Sequence, residues 1–195
     1  VYLTAGEYTV CQTKVPEDLS YVVVSGVKGL TVNGDPAGGT VFTLGVDQKR
    51  LLHVKGSTAT FNDITFRGGR LNSGGSYGHG VYGENSALVF NRCMFDNNGV
   101  VSGTGSGHYG GGLAANGGSL KLNDCAFTKN VVIYNSNGGQ SGAGVWVKNV
   151  ALEATGCLFA TNYIHVQHCG SWGGAIYAKG GSALITNCGF NGNYV

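Results

Sequence analysis

The chain has 195 residues, a formal charge of +2 and only 11% charged residues. So little charge argues against a disordered chain and against a phosphate-binding, nucleic-acid surface. No apolar run approaches the ~20 residues of a membrane-spanning helix, and the length suits one domain with a long core.

Residues 1–10 alternate and carry Ala5–Gly6–Glu7–Tyr8, an opening strand with a turn. Pro16 predicts one helical turn over 16–19, because proline suits a first-turn position. Residues 20–33 read as two strands about a corner at Gly26, and 35–39 as a turn around Pro36 and paired glycines. Strands follow at 41–44 and 51–54, joined by a polar turn at 47–50. Residues 58–66 are a divergent copy of a unit that then recurs four times. Its copies are 80–98 (GVYGENSALVFNRCMFDNN), 112–130 (GLAANGGSLKLNDCAFTKN), 144–162 (GVWVKNVALEATGCLFATN) and 175–193 (AIYAKGGSALITNCGFNGN). The steps are 32, 32 and 31 residues, and no gap is needed inside the unit. A fixed period of this length marks an architecture in which each copy buries its apolar face only against its neighbours.

Stacked, the copies give columns. Val81, Leu113, Val145 and Ile176 form one; Leu88, Leu120, Leu152 and Ala183 another; Phe90, Leu122, Ala154 and Ile185 a third. Cys93, Cys125, Cys157 and Cys188 align, as do Phe95, Phe127, Phe159 and Phe190. Ile64 and Phe66 extend those two columns backwards. The charged column Val89, Lys121, Glu153 and Leu184 faces outward. Asn98, Asn130, Asn162 and Asn193 close the units; asparagine tolerates left-handed backbone and can hydrogen-bond along a stack, so they are expected to form a corner ladder. Three short strands per unit, separated by Gly and Asn corners, predict an all-β, single-stranded, right-handed parallel β-helix of about seven coils. Residues 1–50 would hold divergent coils and 51–195 the regular repeats of one domain. The chain opens within a strand and stops at Tyr194 and Val195 as another coil begins, so it is expected to be a stretch of a longer solenoid.

Gly173–Tyr177 (GGAIY) with Phe190 and Asn193, and Gly110–Leu113 (GGGL) with Phe127 and Asn130, resemble the repeat of the chlamydial polymorphic membrane proteins and of right-handed parallel β-helix repeat proteins more widely. The resemblance covers about residues 50–195. It implies a secreted or surface-displayed solenoid, often adhesive. The opening Leu3, Ala5, Gly6 and Tyr8 also resemble a segment common in pectate-lyase-like β-helices.

Three groups could carry chemistry. The four ladder cysteines are expected to be free buried thiols, since parallel side chains in a stack rarely meet disulfide geometry; Cys11 and Cys169 lie far apart along the coil. No metal-ligand spacing accompanies them, and no metal or cofactor is expected. Gly78–His79–Gly80 resembles a short polygalacturonase motif, but the chain has neither the Asp–Asp nor the Asn–Thr–Asp segment that goes with it. Catalytic carboxylates could come only from Asp18, Asp35, Asp47 and Asp63, on different turns. No catalytic cluster is legible, and a non-enzyme is expected. The third group is aromatic. Tyr82, Ala114, Trp146 and Tyr177 form one outward file, and Tyr77, Tyr109, Ser141 and Trp172 a second just before each repeat. Exposed, these files suit stacking on sugar rings or docking on a protein; alternatively the second file folds over the first and both are buried. The expected role is a secreted, non-catalytic structural or adhesive solenoid, on a cell surface or in an extracellular fibre, with end-to-end self-association and a glycan or cell-surface protein as candidate partners. The rival is a polysaccharide-binding or polysaccharide-active β-helix.

Overall fold

The structure is a computed structural model and describes residues 1–10, 20–44, 49–71, 76–101, 107–134, 139–166 and 170–195. The helical turn expected at 16–19, part of the turn at 47–50, and Cys11, Asp18, Asp47, His168 and Cys169 lie outside the described residues. Every described ladder is parallel and no helix occurs among the described residues, so the chain is a parallel β-solenoid.

The longest strands carry the first half of each repeat: Val81–Asn91, Leu113–Asn123, Val145–Thr155 and Ile176–Thr186, each of 11 residues. They pair in the register that the aligned copies dictate, with Leu120 between Leu88 and Leu152 and Lys121 between Val89 and Glu153. A second face stacks seven strands, from Gly6–Val10 through Met94–Asp96 and Ala126–Thr128 to Gly189–Asn191. The apolar starts of the connecting loops form a third sheet, Gly99–Val101, Val131–Tyr134 and Tyr163–Val166. A fourth, of two-residue strands, holds Ser76–Tyr77, His108–Tyr109, Gln140–Ser141 and Ser171–Trp172.

The expected trio of short strands is therefore corrected. The first two strands of each unit merge into one long strand that bends at Asn85 (φ 47°), Gly117 (φ 71°), Asn149 (φ 53°) and Gly180 (φ 69°), where the pairing skips the bend and resumes in the same register. In the earlier turns the same path is split: Arg50–Lys55 and Thr58–Asn62 both pair with Val81–Asn91. The coil also makes about five turns rather than the seven expected.

Inside, like stacks on like. Phe66, Phe95, Phe127, Phe159 and Phe190 run as one stack, with ring centroids 5.2, 4.5, 5.0 and 5.0 Å apart. Those separations match the ~4.8 Å between neighbouring strands, so the backbone spacing sets the ring stacking. The ladder cysteines are free, and Cys93, Cys125 and Cys157 are buried. Each thiol donates to a main-chain carbonyl: Cys93 to Phe61, Cys125 to Phe90, Cys157 to Leu122 and Cys188 to Ala154. Burial pushes the Cys93 thiol up to about 12, which keeps it an inert, small hydrophobe.

Asn98, Asn130 and Asn162 are fully buried and bond into a ladder as expected. Asn130 Nδ2 donates to Phe95 O at 2.8 Å and to Asn162 Oδ1 at 2.9 Å, and its Oδ1 accepts from both the N–H and the amide of Asn98. The left-handed corner, however, falls one residue earlier, on Asn97 (φ 52°), Lys129 (φ 54°), Thr161 (φ 55°) and Gly192 (φ 59°). A β-branched residue is strained there. Thr161→Asn, which copies the residue the chain uses at Asn97, is expected to stabilise the fold by about 1 kcal/mol and to raise Tm by roughly 2–4 °C in a thermal melt. A second ladder, not read from the sequence, links Asn33, Asn62, Asn91 and Asn123 through amide-to-carbonyl bonds of 2.7 Å.

The last rung is open to solvent: Leu184 is 58% exposed and Phe190 53%. Among the described residues no helix is long and apolar enough to cross a membrane.

A candidate binding site between two aromatic files

Period-two alternation sorts each long strand. In Val145–Thr155, Val145 and Val147 enter the core while Trp146 and Lys148 face out. The register places Ala114 beside both Tyr82 and Trp146, and Trp146 beside Tyr177. The short outer sheet aligns Tyr77, Tyr109, Ser141 and Trp172 in the same way. Both files therefore exist.

They also touch. Tyr77 stacks on Tyr82 at 5.5 Å and on Tyr109 at 5.0 Å. Ala114 is the small residue of the first file, and the Trp146 ring reaches 5.1 Å from Tyr77 and 5.3 Å from Tyr109. The consequence is partial burial. Tyr82 is 9% exposed and Trp146 5%, so these two rings belong to an outer core rather than to a free surface. Tyr77, Tyr109 and Tyr177 are half-buried against them, and Trp172 is 54% exposed. Burial raises the pKa of Tyr82 and of Tyr109.

Arg50 and His53 close the end of this cluster nearest the amino terminus. Arg50 is buried; its Nε donates to the carbonyls of Tyr77 and Gly78 at 2.9 Å, and its Nη1 to Ser20 Oγ at 2.7 Å. Its guanidinium carbon lies 5.0 Å from the Tyr82 ring centre, a cation–π distance. His53 stacks on the same ring at 4.9 Å and sits 3.3 Å from Glu84, which also takes Lys55 at 3.6 Å.

The small residue of the second file has the opposite effect to Ala114. Ser141 leaves a gap between Tyr109 and Trp172. The gap is a cavity of about 390 Å³ walled by Tyr77, Tyr109, Trp146, Trp172 and Tyr177, with Gly139 and Ser141 between them and Lys148 and Lys179 at its side. A Cβ at Gly139 would come within 3.1 Å of the Trp172 ring and one at Gly170 within 3.0 Å, so a larger residue at either position would press on the indole. The volume falls in the range of small-molecule sites, and its lining mixes aromatic faces with a few polar groups.

The other candidates are placed as follows. His79 and His108 are fully buried and stack at 5.6 Å, away from solvent. Asp63 is engaged by Arg92 through two bonds of 2.7 and 2.8 Å, and Asp35 caps its own turn through Ala37 N. Among the described residues no three His, Cys, Asp or Glu side chains converge as a metal site. Sequence reasoning missed Arg50, His53 and the two lysines. Only the register, which sets His53 beside Tyr82 and Lys148 beside Lys179, brings them to the cluster.

Comparisons of the chain with protein-family models, with curated proteins and with solved structures found no match.

Proposed function

We propose that this chain is a non-catalytic binding solenoid, displayed outside the cell, whose partly open aromatic cluster docks the ring faces of a glycan. The observation that carries the reading is the cavity at Ser141, where rings from two long strands and three short outer strands converge and one indole remains half in water. Flat, amphipathic rings on a rigid β scaffold offer stacking area at little cost in conformational entropy. Among the described residues, those lining the cavity offer aromatic faces, glycine, a hydroxyl and two ammonium groups, a set suited to holding a sugar. Display outside the cell rests on the GGAIY and F-x-x-N resemblance. End-to-end assembly has no comparable support, since a further stretch of this chain would cover the open last rung as well as a second copy would.

Two variants separate binding from stability. Trp172→Ala removes a ring that is mostly in water, so Tm should move by no more than a surface substitution does, within about 0.5 kcal/mol. Affinity for a retained oligosaccharide should fall by about tenfold or more, as for a central aromatic contact. Calorimetric titration against a panel of oligosaccharides, with Trp172→Ala as the comparison, tests the reading. It is overturned if Trp172→Ala binds every retained sugar as well as the parent chain does, or if no sugar is retained.

A further inference from the structure

We infer that the glycan at this site is acidic, carrying carboxylate or sulfate groups that Lys148 and Lys179 receive; the inference rests on the glycan reading above. The argument comes from how the chain places charge. Among the described residues, four charged pairs face each other in register on adjacent strands. Lys55 meets Glu84, Arg67 meets Asp96 and Lys121 meets Glu153. Each of these is of opposite sign and each is bonded, at 3.6, 3.0 and 2.8 Å. The fourth pair is Lys148 with Lys179. Like charges set side by side on neighbouring strands destabilise a sheet, and neither lysine has an acidic partner among the described residues.

Position separates this pair from an ordinary solvated face. Both lysines lie in one outward column, two residues beyond Trp146 and Tyr177, and both line the aromatic cavity. Earlier in the same column stand Glu84, already held by His53 and Lys55, and the neutral Asn116. Among the described residues of this column, like positive charges therefore adjoin at the cavity, whereas Lys55 is offset by Glu84. A sugar ring stacked on Trp172 and Tyr177 would place its substituents toward two ammonium groups carried on neighbouring strands, whose backbones lie ~4.8 Å apart. An anion bound between them removes their mutual repulsion and gains two charge-assisted hydrogen bonds. A neutral sugar gains neither.

The test uses the described chain with cellohexaose and with its counterpart in which each primary alcohol is oxidised to carboxylate. The two probes share ring faces and differ in charge. In calorimetric titration at low salt the oxidised probe should bind about tenfold tighter, and its advantage should shrink at physiological salt as screening sets in. In the Lys148→Gln, Lys179→Gln double variant the ratio of the two affinities should fall to about one. Equal affinities in the parent chain, or a preference that survives in the double variant, would overturn the acidic assignment while leaving the aromatic site standing. Failure of both probes to bind would bring down the glycan reading and this inference with it.

Discussion

Replacing Asn130 by alanine is expected to cost roughly 3–5 kcal/mol and to lower Tm by about 10 °C or more. The side chain is fully buried and serves three rungs at once. Its amide holds Phe95 O and Asn162 Oδ1, while its carbonyl oxygen holds the N–H and the amide of Asn98. Truncation orphans the Asn98 N–H and removes a donor from the Phe95 carbonyl, both in a fully buried corner. Each buried group left unpaired costs about 1–3 kcal/mol. The measurement is the denaturant midpoint of the variant against the parent chain. A loss below about 1 kcal/mol, the net worth of one ordinary hydrogen bond, would show that the ladder is not a structural spine. A shared network predicts a further result: because Asn98 and Asn130 are coupled, the double alanine variant should lose less than the sum of the two single ones.

The ladders were the part of this fold most legible in the sequence, and the reason is geometric. Parallel strands without an intervening helix place copy on copy, so a residue's neighbours in space are its equivalents in the alignment. The columns of Leu120, Cys125, Phe127 and Asn130 could be read straight off four aligned units, and the register agrees with each. What the alignment hid was whatever did not repeat chemically. The left-handed corner is filled by Asn97, Lys129, Thr161 and Gly192, which share a backbone angle and nothing else. The asparagine ladder through Asn62, Asn91 and Asn123 passes into a Thr155–Thr186 contact of 3.0 Å, and the change of residue broke the pattern. Two-residue strands such as Ser76–Tyr77 are too short to show any period.

The aromatic site was legible only in outline, because its burial is decided by small residues and by contacts between different segments. Nothing in the segment around Trp146 says that its ring leans over Ala114 to meet Tyr77, which lies on a separate sheet two repeats earlier. The sequence could therefore give the two files but not their division of labour. Tyr82 and Trp146 hold the outer core, and Trp172 stays out. The same logic separates Ala114, which a neighbouring ring fills, from Ser141, which no ring fills. In a solenoid, function can arise where one copy departs from the repeat, since every conforming position is already committed to stacking.

Lowering the pH below 6.5 is expected to weaken this fold through two buried histidines. His79 is held neutral, its pKa lowered to about 3, first by burial and then by His108, with Arg50 and Arg70 adding and the Gly110 carbonyl opposing. Burial lowers His108 to about 4. Both rings would titrate near 6.5 in the unfolded chain. Above that value both states are neutral and stability does not depend on these groups. Between 6.5 and the folded values the unfolded chain binds protons that the folded chain refuses. Stability therefore falls as pH falls, by up to about 1.4 kcal/mol per pH unit for each histidine. The loss from His108 is complete near pH 4 and that from His79 near pH 3. Denaturant midpoints measured at steps from pH 7 to 5 should decline in the parent chain, about half as steeply in His79→Gln, and hardly at all in His79→Gln with His108→Gln. Equal slopes in all three would mean that the paired imidazoles accept protons inside the fold. The stacked pair, 5.6 Å apart between the outer sheet and the core, would then be a solvated site rather than a sealed one.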